Sequence, residues 1–176
     1  MTEYPRYEEL LAIFRLLGAP DPEGWAFSET REGIPQLLRY LFLRGAWKNV
    51  IPADDDAWIA ERVARAKAGP NEPLSGVGQA LERLAKSGAD PSDISIVVRG
   101  MQYETLFGIA YLLDDPVPAF DDVAPVPPEV DAVQWSLWEE SEEGVPIRRI
   151  EGLHEDALGL DPTGREMRPT PPRSSR

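Results

Sequence analysis

Apolar residues recur at steps of three and four along most of the first 115 positions, which is the period of an amphipathic helix. The longest such stretch covers residues 92–114, where apolar side chains occupy most of the helical circumference. A helix that is apolar nearly all round is expected to be buried by other helices. We therefore predict a central buried helix over residues 92–114.

Four shorter amphipathic segments precede this helix. Short connections between such helices favour antiparallel neighbours packed as a bundle. The sequence APDPEG after the first segment predicts a turn-rich loop, with Trp25 and Phe27 packing back onto the bundle. The four predicted helices cover residues 7–17, residues 34–44 with Ile34, Leu37, Leu38 and Leu41 inward, a segment capped by Asp54 that carries Trp58, Ile59 and Val63, and residues 77–87.

The pattern changes after Asp115. Five prolines in residues 116–130 predict an extended crossing, because proline interrupts helices. Period-two alternation then predicts a β-hairpin over residues 131–151 with SEEG as its turn. A short helix is predicted over residues 153–160 and a disordered tail over residues 165–176. The expected fold is mainly α (α+β), a single domain over residues 1–164 whose helical bundle spans residues 1–115.

Composition supports a folded chain of one domain. The 176 residues are 42% hydrophobic and include five Trp, five Tyr and five Phe. The absence of Cys excludes disulfides, thiolate nucleophiles and thiolate metal sites. The N-terminal sequence MTEYPRYEEL has neither the basic nor the apolar region of a signal peptide. Charged and polar residues interrupt the central helix, so we expect no membrane span and a cytoplasmic location.

The formal net charge is −13, and it is unevenly distributed. Residues 116–164 carry 2 Lys and Arg against 12 Asp and Glu, a net charge of −10. Such acidity opposes binding to nucleic acid, whose phosphates attract cationic surfaces. It favours a basic protein partner, because complementary charge accelerates encounter. The alternative is that the acidic residues only keep the protein soluble.

Polar residues within the apolar central helix form a candidate pocket. In the functional interpretation, Arg99 holds an anionic group between helices. In the structural interpretation, which we favour, Arg99 pairs with an acidic residue or extends to the surface. Gly100 and Gly108 lie two turns apart on one side and predict a close approach by another helix. The candidate pocket residues are Arg99, Gln102, Tyr103 and Glu104.

Motifs for catalysis or metal binding are weak. His154 is the only histidine, and it lies in no HExxH or GxSxG pattern. The acidic pairs and triplets lack the spacing of a calcium loop. We therefore expect no metal site and no cofactor, and we read His154 as a structural residue.

The predicted hairpin carries the best candidate interaction surface. Trp135 and Trp138 would face opposite sides of a regular strand, so one can anchor the hairpin while the other stays available. An exposed aromatic side chain with acidic neighbours suits a basic partner. In the alternative, both tryptophans are core and the glutamates form a solvated loop. The acidic residues assigned to this surface are Glu139, Glu140, Glu142 and Glu143 at the turn and Asp121 and Asp122 in the crossing.

These patterns favour a non-catalytic acidic binding protein that sequesters a basic protein. A bacterial immunity or antitoxin-like inhibitor of a toxin is the concrete form of this hypothesis. The alternative is a small hydrolase or transferase with a carboxylate-lined pocket near Arg99 and Glu104. A third candidate is a subunit whose hairpin edge pairs in a homodimer.

Overall fold

A computed structural model describes residues 7–114 and 135–169 of the chain. It confirms the mainly helical class with a C-terminal hairpin, and the described residues form seven helices and one two-stranded sheet. The elements are α1 (Tyr7–Leu17), α2 (Pro22–Arg31), α3 (Gln36–Trp47), α4 (Ala57–Ala68), α5 (Ser75–Lys86), α6 (Pro91–Asp114), β1 (Leu137–Glu140), β2 (Pro146–Ile150) and α7 (Leu153–Ala157).

Contacts along the chain group these elements into two compact units. The first unit comprises Met1–Trp47 and Leu106–Arg176, and the second comprises Lys48–Thr105. Helix α6 is continuous and changes unit between Thr105 and Leu106. The single domain over residues 1–164 stays a prediction, since one helix is common to both units.

The core of the first unit is built around an aromatic cluster. Phe14 of α1 is fully buried, and its ring meets those of Trp25 and Tyr40 at centroid distances of 5.6 and 6.2 Å. Edge-to-face contacts of this kind add to the free energy gained by burying the rings. The residues that complete this core are Leu10, Leu11 and Ala26, with Tyr7, Leu17, Leu37 and Leu160 packed against them.

Helix α2 occupies the segment that the sequence analysis assigned to a loop. Asp21 caps it, because its side chain accepts a hydrogen bond from the Gly24 amide at 3.0 Å. Pro22 suits the first helical turn, where no amide donor is needed. The loop prediction was wrong because proline and glycine usually interrupt helices, whereas here Asp21 and Pro22 start one. Trp25 packs inward as expected, whereas Phe27 is 54% exposed.

The inner face of α3 agrees only in part with the predicted one, since Leu37 packs against the core as expected. Leu41, expected inward, is 45% exposed, while Gln36 and Arg39 are buried. These polar side chains tolerate burial because each is hydrogen-bonded. Gln36 donates to the Ser28 hydroxyl at 3.2 Å, and Arg39 forms an ion pair with Asp156 at 2.7 Å.

The predicted hairpin is present, with β1 and β2 antiparallel. Leu137 pairs with Ile150, and Glu139 pairs with Arg148 on the same, inner face. The turn lies at residues 141–144, where Gly144 has a φ of +75°. Residues 131–134 of the predicted hairpin, and the crossing over residues 116–130, lie outside the described residues.

The segment after the last helix is held by one carboxylate. Asp161 is 4% exposed and accepts hydrogen bonds from the Thr163 hydroxyl at 2.7 Å and the Met167 amide at 2.9 Å. Residues 165–169 therefore belong to an organised turn, and the predicted disordered tail does not begin at residue 165. Residues 170–176 lie outside the described part of the chain.

In the second unit, α4 and α5 pack closely at a glycine. A Cβ atom at Gly78 would collide with the carbonyl oxygen of Arg62 and with the Cβ of Ala66. The buried side chains of this unit include Ile59 on α4 and Leu81 on α5. Gly78 therefore sets the distance between the two helices, because a larger residue would force them apart.

Helix α6 corrects the prediction of a buried central helix. Its buried residues are Ser95, Arg99 and Ala110, whereas Val97 and Met101 are 64% and 58% exposed. Hydrogen bonds made by Ser95 and Arg99 place the more polar face inward and leave apolar residues outside. The expected close approach at the glycines is also wrong, because no residue of another element in the described ranges lies within 4 Å of a Cβ atom built at Gly100 or Gly108.

Candidate functional sites

The outer face of the hairpin presents an exposed aromatic residue among acidic ones. Trp138 is 46% exposed, and Glu140, Glu142 and Glu143 are exposed beside it or at the turn. The Trp138 indole N–H donates to the Ser136 hydroxyl at 2.8 Å, which fixes the ring against its own strand. We call Trp138, Glu140, Glu142 and Glu143 the hairpin surface.

Glu139 points to the opposite face and has a structural partner. Its carboxylate accepts a hydrogen bond from Nε of Arg148 at 2.5 Å, and Nη2 of Arg148 donates to Glu29 of α2 at 2.6 Å. Burial opposes the charge of Arg148, but the hydrogen bonds to Glu29 and Glu139 outweigh it and raise the pKa of the guanidinium. The hairpin is therefore anchored to α2 through Arg148, and Glu139 serves that anchor.

Trp135 and Arg149 join the hairpin region to the end of α6. The Trp135 indole N–H donates to the carbonyl oxygen of Leu112 at 2.7 Å, and Arg149 donates to that of Asp114 at 3.3 Å. Both satisfy carbonyls that a helix end leaves without an internal partner. One tryptophan thus anchors and the more exposed one faces solvent. Asp121 and Asp122 lie outside the described residues.

The polar residues of α6 in the second unit hold a backbone segment. Arg99 is 8% exposed and its Nη1 donates to the carbonyl oxygen of Ile51, while Gln102 accepts a hydrogen bond from the Ile51 amide at 2.9 Å. Burial raises the pKa of the Tyr103 hydroxyl, and Glu104 is exposed. Arg99 and Gln102 therefore both bind the backbone of Ile51. The structural interpretation expected an acidic partner or an extension to the surface for Arg99, whereas this side chain is buried and donates to a backbone carbonyl.

A second polar chain in the same unit was not found from sequence. The Trp58 indole donates to the Ser95 hydroxyl at 2.9 Å, and Ser95 donates to the Asp56 carboxylate at 2.6 Å. Ser95 lies in an apolar run, where only the four-residue spacing to Arg99 marks a shared face. This chain fixes the orientation of α4 relative to the start of α6.

His154 lies in an unexpected acidic and aromatic environment. Its Nδ1 is 2.6 Å from Oδ2 of Asp114, and the ring of Tyr111 meets the imidazole at 5.1 Å. The nearby Asp156 pairs with Arg39. Burial raises the pKa of the Asp156 carboxyl, with Arg39 opposing the shift and Glu155 and Asp114 reinforcing it. The arrangement orients the imidazole and ties α7 to the end of α6.

Within residues 7–114 and 135–169, no group of three or more histidine and acidic side chains is placed to hold a metal ion. None of the helices in these ranges is long and apolar enough to cross a membrane. No known protein family matches the sequence, and no characterised protein or solved structure is significantly similar to the chain.

Proposed function

We propose that the protein is a non-catalytic binding protein that captures a basic protein through the hairpin surface. The observation that carries this proposal is Trp138, which is 46% exposed and stands beside acidic side chains on an anchored hairpin. Tryptophan is enriched among the residues that contribute most to binding interfaces.

The electrostatics of the first unit support a cationic partner. The sequence of that unit has 11 Lys and Arg against 22 Asp and Glu, a net charge of −11. A field of this sign steers basic proteins toward the surface and repels acidic ones. A rigid hairpin also loses little conformational entropy on binding, because the inner face is already fixed by Arg148. We also propose that the protein acts in the cytoplasm and that it neutralises a toxin, as an immunity protein or an antitoxin does.

The competing hydrolase or transferase has less support. It requires acidic side chains that converge near Arg99 and Glu104. In the described part of the second unit, Arg99 binds a backbone carbonyl, and Glu104 is exposed. Because Arg99 donates to the Ile51 carbonyl, it positions a loop. Its positive charge is then poorly placed to bind a substrate.

The test uses affinity capture from native cells with the full chain as bait. We expect the wild type to retain a basic protein, and the variant Glu140→Lys/Glu142→Lys/Glu143→Lys to lose it, because the steering charge is reversed. The readout is the amount of that protein retained at equal bait loading.

A matched variant separates the local surface from total charge. Glu8→Lys/Asp54→Lys/Glu104→Lys changes the net charge equally at three other exposed positions. We expect this variant to keep most of the captured protein. If both variants lose the captured protein equally, overall charge explains the binding and the hairpin surface does not. If both variants retain it equally, the hairpin surface is not the binding site.

A further inference from the structure

A groove of about 450 Å³ opens on the second unit beside α4. Small-molecule sites have volumes of about 300–1,000 Å³ and mainly apolar walls with a few polar groups. This groove has that composition. Its apolar lining residues are Ile51, Trp58, Leu74, Val77 and Val98, and its polar ones are Glu61, Arg62, Arg65 and Gln102.

The charged residues of the groove favour an anion. Arg62 and Arg65 lie one turn apart on α4, and both are exposed. Within the described ranges neither forms an ion pair, and the only acidic residue of α5, Glu82, pairs with Lys67 and Lys86 instead. Glu72 lines a small neighbouring cavity together with both arginines. Two guanidinium groups against the single carboxylate of Glu61 leave the lining with a charge of about +1.

Leu74, which lines the groove, has both an unfavourable backbone conformation and an unfavourably exposed side chain. Its φ of +68° is the left-handed region that glycine occupies at least cost, and its side chain is 74% exposed. Strained backbone at a binding surface is a reason to look for function there. A bound apolar group would cover this leucine and remove the second of the two costs.

The wall of the groove is fixed before any ligand arrives. Gln102 is held by the Ile51 amide, and the Trp58 indole is held by Ser95. A preformed wall reduces the entropy lost on binding. The indole face of Trp58 thus offers a rigid apolar surface on the helix that also carries Arg62 and Arg65.

We propose that this groove binds a small carboxylate with an apolar body. The carboxylate pairs with Arg62 and Arg65, whose planar guanidinium groups match its geometry. The apolar body lies against Trp58 and Val77 and covers Leu74. This site is independent of the hairpin surface and of its partner.

The test is a titration of the full, isotope-labelled chain with sodium decanoate, followed by two-dimensional NMR. We expect saturable shifts at the Trp58 indole N–H and at the amides of Val77 and Val98. Uncharged decanol serves as the comparison. Because hydrogen bonds to charged groups exceed neutral ones in strength, decanoate should bind about tenfold more tightly than decanol.

Substitutions test whether the carboxylate of decanoate binds at Arg62 and Arg65. Arg62→Gln/Arg65→Gln should weaken decanoate about tenfold and leave decanol unchanged. The matched variant Lys48→Gln/Arg83→Gln removes two other exposed cations of the same unit and should retain wild-type affinity. Val77→Glu adds a repelling carboxylate at a half-exposed position and should also abolish the preference for decanoate, so the test does not depend on one variant folding.

The proposal is overturned by any of three results. These are the absence of saturable shifts, equal affinities for decanoate and decanol, and shifts confined to the exposed α6 residues Val97 and Met101. Unchanged decanoate affinity in folded Arg62→Gln/Arg65→Gln would likewise remove the arginines from the site.

Discussion

The two units differ in how they use burial and charge. The largest fully buried side chains, Phe14, Leu10, Leu43 and Leu153, all belong to the first unit. Large apolar side chains that are more than half exposed occur in both units, and they are Leu16, Phe27, Ile109 and Val145 in the first and Leu74, Ile96, Val97 and Met101 in the second. Their net charges also differ, −11 for the first unit and −2 for the second, which has 7 Lys and Arg against 9 Asp and Glu.

This difference underlies the two separate binding proposals. A well-filled core is a suitable support for the hairpin, because a binding residue is most effective on a rigid scaffold. Exposed apolar surface beside cations instead suits ligands that carry both apolar and anionic groups. The net negative charge of the chain therefore comes mainly from the first unit, whereas positive and negative charges nearly balance in the second.

Replacing Arg148 in the first unit or Arg99 in the second should give the largest effects. Arg148→Ala leaves Glu29, whose side chain is 3% exposed, without its cation, and should cost about 3 kcal/mol or more in unfolding free energy. Arg99→Ala leaves the Ile51 carbonyl without its donor and should cost about 1–3 kcal/mol. Urea unfolding measures both. A cost for Arg99→Ala above that for Arg148→Ala would contradict the ranking.

Glycine replacements should have opposite signs on α5 and α6. Gly78→Ala forces a methyl group against α4 and should destabilise by about 1–3 kcal/mol. Gly100→Ala meets open space and should stabilise by up to about 1 kcal/mol through helix propensity. Thermal unfolding of the two variants provides the comparison. Destabilisation by Gly100→Ala would restore the close helix approach expected from sequence.

Titration of Asp156, a residue of the first unit, should have the smallest effect on the unfolding free energy. Burial raises the folded-state pKa of this carboxyl above its unfolded value. Its contribution to stability is therefore fully present below the unfolded pKa and is lost as pH rises through the folded one. Asp156→Asn does not titrate, so its unfolding free energy relative to wild type should increase as pH rises from about 3.5.

The measurement is urea unfolding of both proteins at several pH values between about 3.5 and 7. The pairing of Asp156 with Arg39 opposes the shift, so the change is expected to be modest. A relative stability of Asp156→Asn that falls with rising pH would show that the ion pair outweighs burial.

Sequence periodicity predicted the class of the fold because local hydrophobic spacing determines which segments become helices. It failed for α2, where the start signal Asp21-Pro22 competed with the reading of proline as a breaker. It also failed in part for the face of α3 and for that of α6. Those faces are selected by hydrogen bonds of Gln36, Ser95 and Arg99 to residues outside their own helices, and periodicity contains no information about such partners.

The candidate sites show the same division. The alternation in residues 135–138 predicted opposite faces for the two tryptophans; both are exposed, and Trp135 also donates a hydrogen bond to the end of α6. It could not separate Glu139 from its acidic neighbours, because the partner Arg148 is found only when the register is known. The groove beside α4 was missed, since its lining comes from four separate segments of the second unit.

The most direct test of the hairpin surface is the affinity of the captured basic protein, once purified, for Trp138→Ala. We predict binding about thirtyfold weaker than wild type, as for a dominant interface residue, with unchanged unfolding free energy. Phe27→Ala removes another exposed aromatic residue of the first unit and should bind as wild type does. Affinity of Trp138→Ala within twofold of wild type would contradict the account.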